Sequence, residues 1–201
     1  MYMNVLSIDF DIIMAPSINL YNNMVPANHW DDLLKSLPNL TTTPADLNIY
    51  SRLLRYLLRT IDKTSSIFIG YSHSFIQDYL KNDNDLNITN IDHHHDIFYD
   101  IKDKDKKLEE CNCADWVKYF HDQGQLKDYT WVHNDNSCDP NFEVDFKYNK
   151  IPFKEFEFAE SYDKHFICLS PERVPPYYHS LFYTILDCLN EKNNYHLEII
   201  G

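Results

Sequence analysis

Short apolar runs alternate along the chain with longer stretches in which apolar residues recur every three or four positions. The runs predict buried strands at residues 4–10, 66–70, 86–91, 129–132 and 165–169. The periodic stretches predict helices at residues 44–62, 74–80, 114–121 and 176–189. Strands that alternate with helices favour an α/β fold with a mainly parallel central sheet.

The longest predicted helix carries both a start signal and an apolar stripe. Thr43 is expected to cap it, with Pro44 in the first turn, where proline is tolerated. The stripe expected to face the core consists of Leu47, Tyr50, Leu54, Leu57, Leu58 and Ile61. Residues 142–158 alternate apolar and polar side chains, which predicts a peripheral β-hairpin outside the main sheet. Together these elements predict a three-layer sandwich formed by one domain over residues 1–201.

The composition excludes several classes of protein. Of the 201 residues, 44% are hydrophobic and 15% aromatic, which is enough apolar surface to pack a core. The chain has 3 glycines, and it contains neither a P-loop nor the glycine pattern of dinucleotide-binding folds. Its 5 cysteines form neither an even disulfide framework nor the paired C-x-x-C motifs of a zinc ribbon.

The chain is acidic, with 18 Lys+Arg against 31 Asp+Glu and a net charge of −13. A nucleic-acid-binding surface usually has the opposite sign, so nucleic acid is not an expected partner. Metal cations, basic peptides and amines suit an acidic protein, although net acidity also serves solubility alone. The sequence shows neither a signal peptide nor an apolar membrane span, so a cytoplasmic protein is expected.

Acidic residues and histidines collect where the first three predicted strands end. The first strand ends in Asp9 and Asp11, and the second leads to His73. The third ends in the run DHHHD at residues 92–96, whose two acids and central histidine point to one side of an extended chain. In parallel sheets, sites form at the carboxyl ends of strands. The predicted metal ligands are therefore Asp9, Asp11, His73, Asp92, His94 and Asp96.

Such a cluster needs positive charge. Carboxylates that converge away from water repel one another, and their burial is expensive without a counter-ion. One divalent cation removes much of that cost, and two remove more. The mixture of oxygen and imidazole ligands suits Mn²⁺, Fe²⁺ or Zn²⁺. A pair of ions about 3.5–4 Å apart would share bridging carboxylates and activate a water molecule between them.

These motifs resemble those of the ureohydrolase, or arginase-like, superfamily. Its GGDHS-like turn and its DAHxD and SxDxD strand ends correspond here to GYSHS (70–74), DHHHD (92–96) and SIDFD (7–11). The stretches NCADWVKYF, YTWVHNDNS and LSPERVPP are similar to a small divergent branch that includes the peptide arginases. Members of that branch convert arginine side chains of ribosomally made peptides to ornithine and urea. The resemblance implies an arginase-like sandwich and an arginine-containing peptide as substrate.

The resemblance also implies two Mn²⁺ ions, and it assigns their ligands by position. One ion would be held by His73, Asp92, Asp96 and Asp9, and the other by His94, Asp92, Asp9 and Asp11. Asp92 and Asp9 would then bridge the two ions. A bridging hydroxide would attack the guanidinium carbon, and the product would be urea and a primary amine.

Residues at other strand ends are candidates for handling the substrate. Glu172 is the candidate for holding the guanidinium group through a charge-assisted hydrogen bond. His133 and His95 are alternative candidates for the histidine that passes a proton to the leaving amine. Asn134 and Asn136 either bind substrate backbone or cap a turn.

Two other functions are compatible with the motifs. A DHH-type phosphoesterase also combines an early D-x-D motif with a later D-H-H, although this chain lacks the expected glycine and is poor in basic residues. A non-catalytic metal- or peptide-binding protein on the same scaffold is the third hypothesis. Trp30, Trp116 and Trp131 either line a peptide groove or pack in the core, as large aromatic residues usually do.

Overall fold

A computed structural model describes residues 2–14, 45–61, 65–97, 113–135, 137, 144, 146–193 and 199–200, with backbone alone at 192–193 and 199–200. Among the described residues, no helix is both long enough and apolar enough to cross a membrane. Trp30, Thr43 and Pro44 lie outside the described residues, as do Asn136 and most of the charged run between residues 98 and 112.

The described strands form one seven-stranded sheet in which every neighbouring pair is parallel. The strands are β1 (Met3–Asp9), β2 (Ser66–Gly70), β3 (Leu86–Ile91), β4 (Leu126–His133), β5 (Asn149–Pro152), β6 (Lys164–Cys168) and the two-residue β7 (Ile199–Ile200). Their order across the sheet is β5-β4-β3-β1-β6-β2-β7. The predicted α/β class with a parallel central sheet is confirmed.

In the described part of the chain, four α-helices cover the two faces of this sheet. They are α1 (Leu47–Thr60), α2 (Phe75–Leu80), α3 (Trp116–Asp122) and α4 (His179–Asn193). Ile49 of α1 packs in one core with Phe182 of α4, whereas Ile76 of α2 packs in a second core with Trp116 of α3. The arrangement is that of a three-layer sandwich.

The direction of each crossover explains which face each helix covers. The chain runs from β1 through α1 to β2 in one direction across the sheet, and from β2 to β3 to β4 in the other. Because crossovers between parallel strands are right-handed, reversing the direction moves the connecting helix to the opposite face. The connections thus leave the neighbouring strands β1 and β3 in opposite directions, which opens a crevice at their carboxyl ends.

The start of α1 differs from the prediction. The cap is Asp46, not Thr43, because its Oδ1 atom accepts hydrogen bonds from the backbone N–H groups of Asn48 (2.9 Å) and Ile49 (3.1 Å). The predicted stripe is confirmed at Leu57 and Ile61, which are buried, and its other members Tyr50, Leu54 and Leu58 pack partly buried against the core. It is wrong at Leu47, which is 61% exposed. The buried residues of the helix are Ile49, Leu53, Tyr56 and Leu57.

The predicted peripheral hairpin is also wrong within the described part of residues 142–158. There the chain forms β5 alone, which pairs with β4 in parallel and so extends the main sheet at its edge. The backbone N–H of Phe153 donates to the carbonyl of His133 at 2.7 Å, which continues that pairing beyond the strand. Alternation of side chains predicts a strand but does not predict its partner.

Asp46→Ala is expected to lower the free energy of unfolding by about 1 kcal/mol, because two N–H groups at the start of α1 lose their acceptor. Urea denaturation followed by circular dichroism measures the change. Asp187→Ala, at an exposed position of α4, is the matched control and should change stability by less than about 0.5 kcal/mol. Equal losses in the two variants would contradict the capping role of Asp46.

Candidate metal centre

The predicted metal ligands lie at the carboxyl edge of the sheet, around the crevice between β1 and β3. Asp9 is the last residue of β1, and Asp11 lies in the following 3₁₀ turn, Phe10–Ile13. Asp92 comes directly after β3, and His73 lies in the turn between β2 and α2. All four side chains are buried. The fold therefore brings together residues from three separate strand ends.

His73 directs one ring nitrogen at three carboxylates. Its Nδ1 lies 2.8 Å from Asp96 Oδ2, 3.1 Å from Asp92 Oδ2 and 3.5 Å from Asp9 Oδ2. The ligand atoms of His73, Asp9 and Asp92 all lie within 4.8 Å of one another. One imidazole nitrogen and two carboxylate oxygens at this spacing could hold a metal ion.

His94 forms a second group with Asp11 and Asp92. Its Nδ1 lies 3.1 Å from Asp11 Oδ2 and 3.6 Å from Asp92 Oδ1. The ligand atoms of these three residues also lie within 4.8 Å of one another. Asp92 thus belongs to both groups and turns one oxygen toward each histidine.

Asp9 and Asp96 have more restricted positions. Asp9 belongs to the group around His73, so its predicted role as a second bridge stays a prediction. Asp96 Oδ2 lies beside His73 and also accepts a hydrogen bond from Trp116 Nε1 at 2.7 Å. The indole therefore orients the Asp96 carboxylate toward the histidine.

Two serines hold the first group in place from outside. Ser7 Oγ lies 2.6 Å from His73 Nε2, which leaves Nδ1 as the ring nitrogen that faces the carboxylates. Ser170 Oγ donates to Asp9 Oδ2 at 2.6 Å. Ser170 and Asp96 have backbone φ angles of 48° and 51°, in the left-handed region that non-glycine residues rarely adopt. Backbone strain of this kind persists where the surrounding structure enforces it, and it concentrates at functional sites.

The shared carboxylate of Asp92 is held by groups from β3 and β4. Asn90 Nδ2 donates to Asp92 Oδ2 at 3.2 Å and to the hydroxyl of Tyr129 at 3.1 Å. The Trp131 indole N–H donates to the backbone carbonyl of Asp92 at 3.0 Å. Trp116 and Trp131 are both fully buried, so for these two the prediction of core packing is confirmed.

The centre holds more negative than positive charge. Within the described part of the chain, the ion-pair partners of Asp9, Asp11, Asp92 and Asp96 are the imidazoles of His73 and His94. Burial and the charges of Asp11 and Asp92 raise the pKa of Asp9 to about 7. Burial and the charge of Asp92 likewise raise the pKa of Asp96 well above its ordinary value.

Asp92 and His94 carry opposite charges in this centre, and their pKa values shift in opposite directions. Burial opposes ionisation of Asp92, yet the nearby imidazoles of His73 and His94 hold its pKa well below the ordinary value. Burial also opposes protonation of His94, but the carboxylates of Asp11 and Asp92 raise its pKa to about 10. Without a metal ion, protons therefore supply the missing positive charge.

Unsatisfied ligand atoms indicate that a cation fits better than protons. Asp11 Oδ2 and His73 Nδ1 are buried, and they lie at ion-pair distance from described residues without the geometry of a hydrogen bond. Both atoms belong to the two groups defined above, where a metal ion would coordinate them. Carboxylate oxygens combined with imidazole nitrogens are ligands of borderline and hard divalent metals. These buried Asp and His groups could therefore hold a metal ion.

Glu172 lies in the turn after β6, beside this centre. It is half-buried. Burial, followed by the charges of Asp96 and Glu172, raises the pKa of the Cys113 thiol to about 12. The charges of Glu172 and of the cluster thus act on the same thiol, and the role of Glu172 toward a substrate stays a prediction.

The two candidate proton shuttles have different surroundings. The Nδ1–H of His133 donates to the carbonyl of Asn134 at 2.8 Å, and the side chain is partly exposed. His95 is 1% exposed, its Nδ1 accepts from the backbone N–H of Ile97 at 3.0 Å, and its ring meets Trp131 edge-on.

Asn134, a candidate for binding substrate, is buried, and its Nδ2 donates to the carbonyl of Ile12 at 3.1 Å. This hydrogen bond ties the end of β4 to the 3₁₀ turn that carries Asp11, so the amide nitrogen is already engaged. The placement favours a structural role over direct contact with substrate. Asn136, its companion in the prediction, lies outside the described residues.

Sequence reasoning missed the groups that orient the ligands. Ser7 was detectable, because it precedes Asp9 by two residues in β1 and so shares its side of the sheet. No sequence signal links Trp116 to Asp96 or Ser170 to Asp9, since these pairs come together only when α3 and β6 pack against the other elements.

Comparison with known proteins finds no matching family model, no similar curated protein and no similar solved structure.

Ser7→Ala is expected to weaken Mn²⁺ binding by about tenfold to a hundredfold, because His73 loses the partner that fixes its ring orientation. Isothermal titration calorimetry measures the affinity. Ser180→Ala, an exposed serine on α4, is the matched control and should bind as the wild type does. An unchanged affinity in Ser7→Ala would show that His73 is not a ligand held by this contact.

Metal affinity is expected to rise with pH between about 6 and 10. In the metal-free centre the pKa of Asp9 is about 7 and that of His94 about 10, so at pH 7 protons occupy sites that a metal ion must take. Each proton released adds about tenfold in apparent affinity per pH unit. Calorimetry in two buffers of different ionisation enthalpy counts the protons. Equal affinities at pH 6 and pH 8 would contradict the coupling.

Proposed function

We propose that this protein is a manganese-dependent peptide arginase of the ureohydrolase superfamily, which hydrolyses arginine side chains of a peptide to ornithine and urea. The observation that carries the proposal is the position of Asp92, whose two carboxylate oxygens face His73 and His94 at the carboxyl edge of the sheet. A carboxylate shared between two imidazole–carboxylate groups is what a pair of divalent ions requires.

Each group of ligands has a defined part in this proposal. His73, Asp9 and Asp92, with Asp96 beside them, would hold one ion, and the second group would hold the other. The second group consists of His94, Asp11 and Asp92. When bound, such ions lower the pKa of a water molecule toward neutrality, which supplies a nucleophile for hydrolysis. Carboxylates outnumber imidazoles in the proposed set of ligands, which favours manganese among the metals that accept both oxygen and nitrogen ligands.

Other residues would bind the substrate and move its proton. The Glu172 carboxylate would hold the guanidinium through charge-assisted hydrogen bonds, since no metal ion competes for it in either group. As water adds to the guanidinium carbon and its bond to the side-chain nitrogen breaks, that nitrogen must gain a proton. His133 suits this step better than His95, because its Nδ1–H is held by the Asn134 carbonyl while its other nitrogen stays able to exchange a proton at a partly exposed position.

The acidity of the chain supports a cationic substrate. A net charge of −13 raises the local concentration of arginine-rich peptides and disfavours phosphate esters. This charge balance favours the guanidinium reaction over the DHH-type phosphoesterase reaction.

The purified protein with Mn²⁺ is expected to release urea from arginine-containing peptides and to leave ornithine, as measured by a urea assay and mass spectrometry. Asp92→Asn should lose both Mn²⁺ binding and turnover, because both groups lose their shared charge. Glu172→Gln should retain Mn²⁺ and reduce kcat/KM by about a hundredfold, since a neutral amide gives no charge-assisted hydrogen bond. Glu191→Gln on the exposed side of α4 is the matched control with wild-type activity.

Three outcomes would overturn the proposal. Turnover by Asp92→Asn at the wild-type rate would show that the metal centre takes no part in the reaction. Phosphate release from dinucleotides or short oligonucleotides, without urea from peptides, would identify a phosphoesterase. Mn²⁺ binding with no turnover of any arginine-containing peptide or of free arginine would leave a non-catalytic binding protein.

A further inference from the structure

A cavity of about 460 Å³ lies between α1 and the segment that follows β5, apart from the metal centre. This volume falls within the range of roughly 300–1,000 Å³ typical of sites for small molecules. The part of its wall that matters here consists of Arg52, Arg55, Tyr56, Arg59, Phe158 and Glu160.

The cavity concentrates positive charge in an acidic protein. The chain has four arginines, and three of them, Arg52, Arg55 and Arg59, line this one space. They occupy one stripe over about two turns of α1, where like charges three or four residues apart destabilise a helix. Among the described residues that line the cavity, Glu160 is the one acid, and neither Arg55 nor Arg59 forms an ion pair with any of the described residues.

The three arginines differ in how far the protein itself uses them. Arg52 donates to the carbonyls of Phe153 (2.7 Å) and Phe156 (2.6 Å), and its guanidinium lies 4.6 Å from the centre of the Phe153 ring. It therefore serves as a fixed part of the wall. Arg55 and Arg59 are exposed at the cavity, so their guanidinium groups are available to a ligand.

Tyr56 gives an independent indication of a ligand. The residue is 7% exposed, and its buried hydroxyl lies near the Thr60 side chain but does not complete a hydrogen bond to any described residue. Its ring stacks on Phe158 at 4.0 Å between centroids, which fixes the direction of the hydroxyl and gives the cavity an aromatic wall. Buried hydroxyl groups are nearly always hydrogen-bonded, so an acceptor from outside the described structure is expected.

We infer that this cavity binds a small organic anion that carries two or more phosphate or carboxylate groups, with Arg55 and Arg59 binding the charge and Tyr56 donating a hydrogen bond. Guanidinium groups match the planar, bidentate geometry of both kinds of anion. The site is distinct from the metal centre. The amino end of α1 lies near the 3₁₀ turn, where the Asp46 N–H donates to the carbonyl of Ile13, and Arg55 and Arg59 follow about 14 and 20 Å further along the helix axis.

Calorimetric titration of the full chain, without added metal salts, with inorganic pyrophosphate and with citrate tests the inference and distinguishes the two sources of charge. We expect at least one of the two probes to bind, and the tighter one identifies phosphate or carboxylate as the preferred group.

The double variant R55Q/R59Q should lose at least tenfold in affinity for that probe. Lys81 and Lys127 are exposed elsewhere, so K81Q/K127Q removes the same charge and should retain binding within about twofold. Tyr56→Phe should weaken binding severalfold without lowering the thermal stability, because it removes only the unsatisfied hydroxyl.

The inference is overturned if neither probe binds, or if R55Q/R59Q and K81Q/K127Q bind equally well. An anion bound at the metal centre would persist in R55Q/R59Q, so that result also counts against the cavity. Unchanged affinity in Tyr56→Phe would show that the Tyr56 hydroxyl does not bind the anion. None of these outcomes depends on urea formation, so the cavity and the proposed arginase reaction stand or fall separately.

Discussion

Four carboxylates buried around two imidazoles create a demand for positive charge that this part of the protein does not meet by itself. The shifts in pKa express that demand, because Asp9 and Asp96 hold protons more strongly than exposed acids while His94 retains its own. Burial without compensation would cost several kcal/mol for each ion. A bound metal cation would remove this cost directly, and Asp92 belongs to both groups of residues that could hold one.

The topology of the sheet is what brings these charges together. Connections that leave β1 and β3 in opposite directions open a crevice between two neighbouring strands, and both strands end in aspartates at that crevice. Packing then refines the site, because the indole of Trp116 on α3 and the hydroxyl of Ser170 after β6 reach the ligands from outside. The strained backbone at Asp96 and Ser170 is maintained by the same contacts.

Negative and positive side chains are concentrated in different parts of the molecule. The carboxylates gather at the carboxyl edge, whereas three of the four arginines lie along α1 and line the cavity beside residues 158–160. The buried carboxylate cluster and the arginine-lined cavity thus lie in separate parts of the molecule. The two sites share α1 as a connecting element, because Asp46 at its start is tied to the 3₁₀ turn that carries Asp11.

The sequence by itself determined five of the seven described strands, the α/β class and the six candidate ligands, because apolar runs are local and the acids follow strand ends directly. It did not determine which residue caps α1, since Thr43 and Asp46 are both good capping residues and packing selects between them. It also did not determine that residues 149–152 join the main sheet, because a strand's partner depends on distant segments. Only the tertiary structure decided that Asp92 lies between His73 and His94, that Trp116 reaches Asp96, and that Arg55 and Arg59 line a cavity with an unsatisfied Tyr56. These features depend on contacts between residues far apart in the chain or on burial. Long-range contacts and burial leave no local pattern in the sequence.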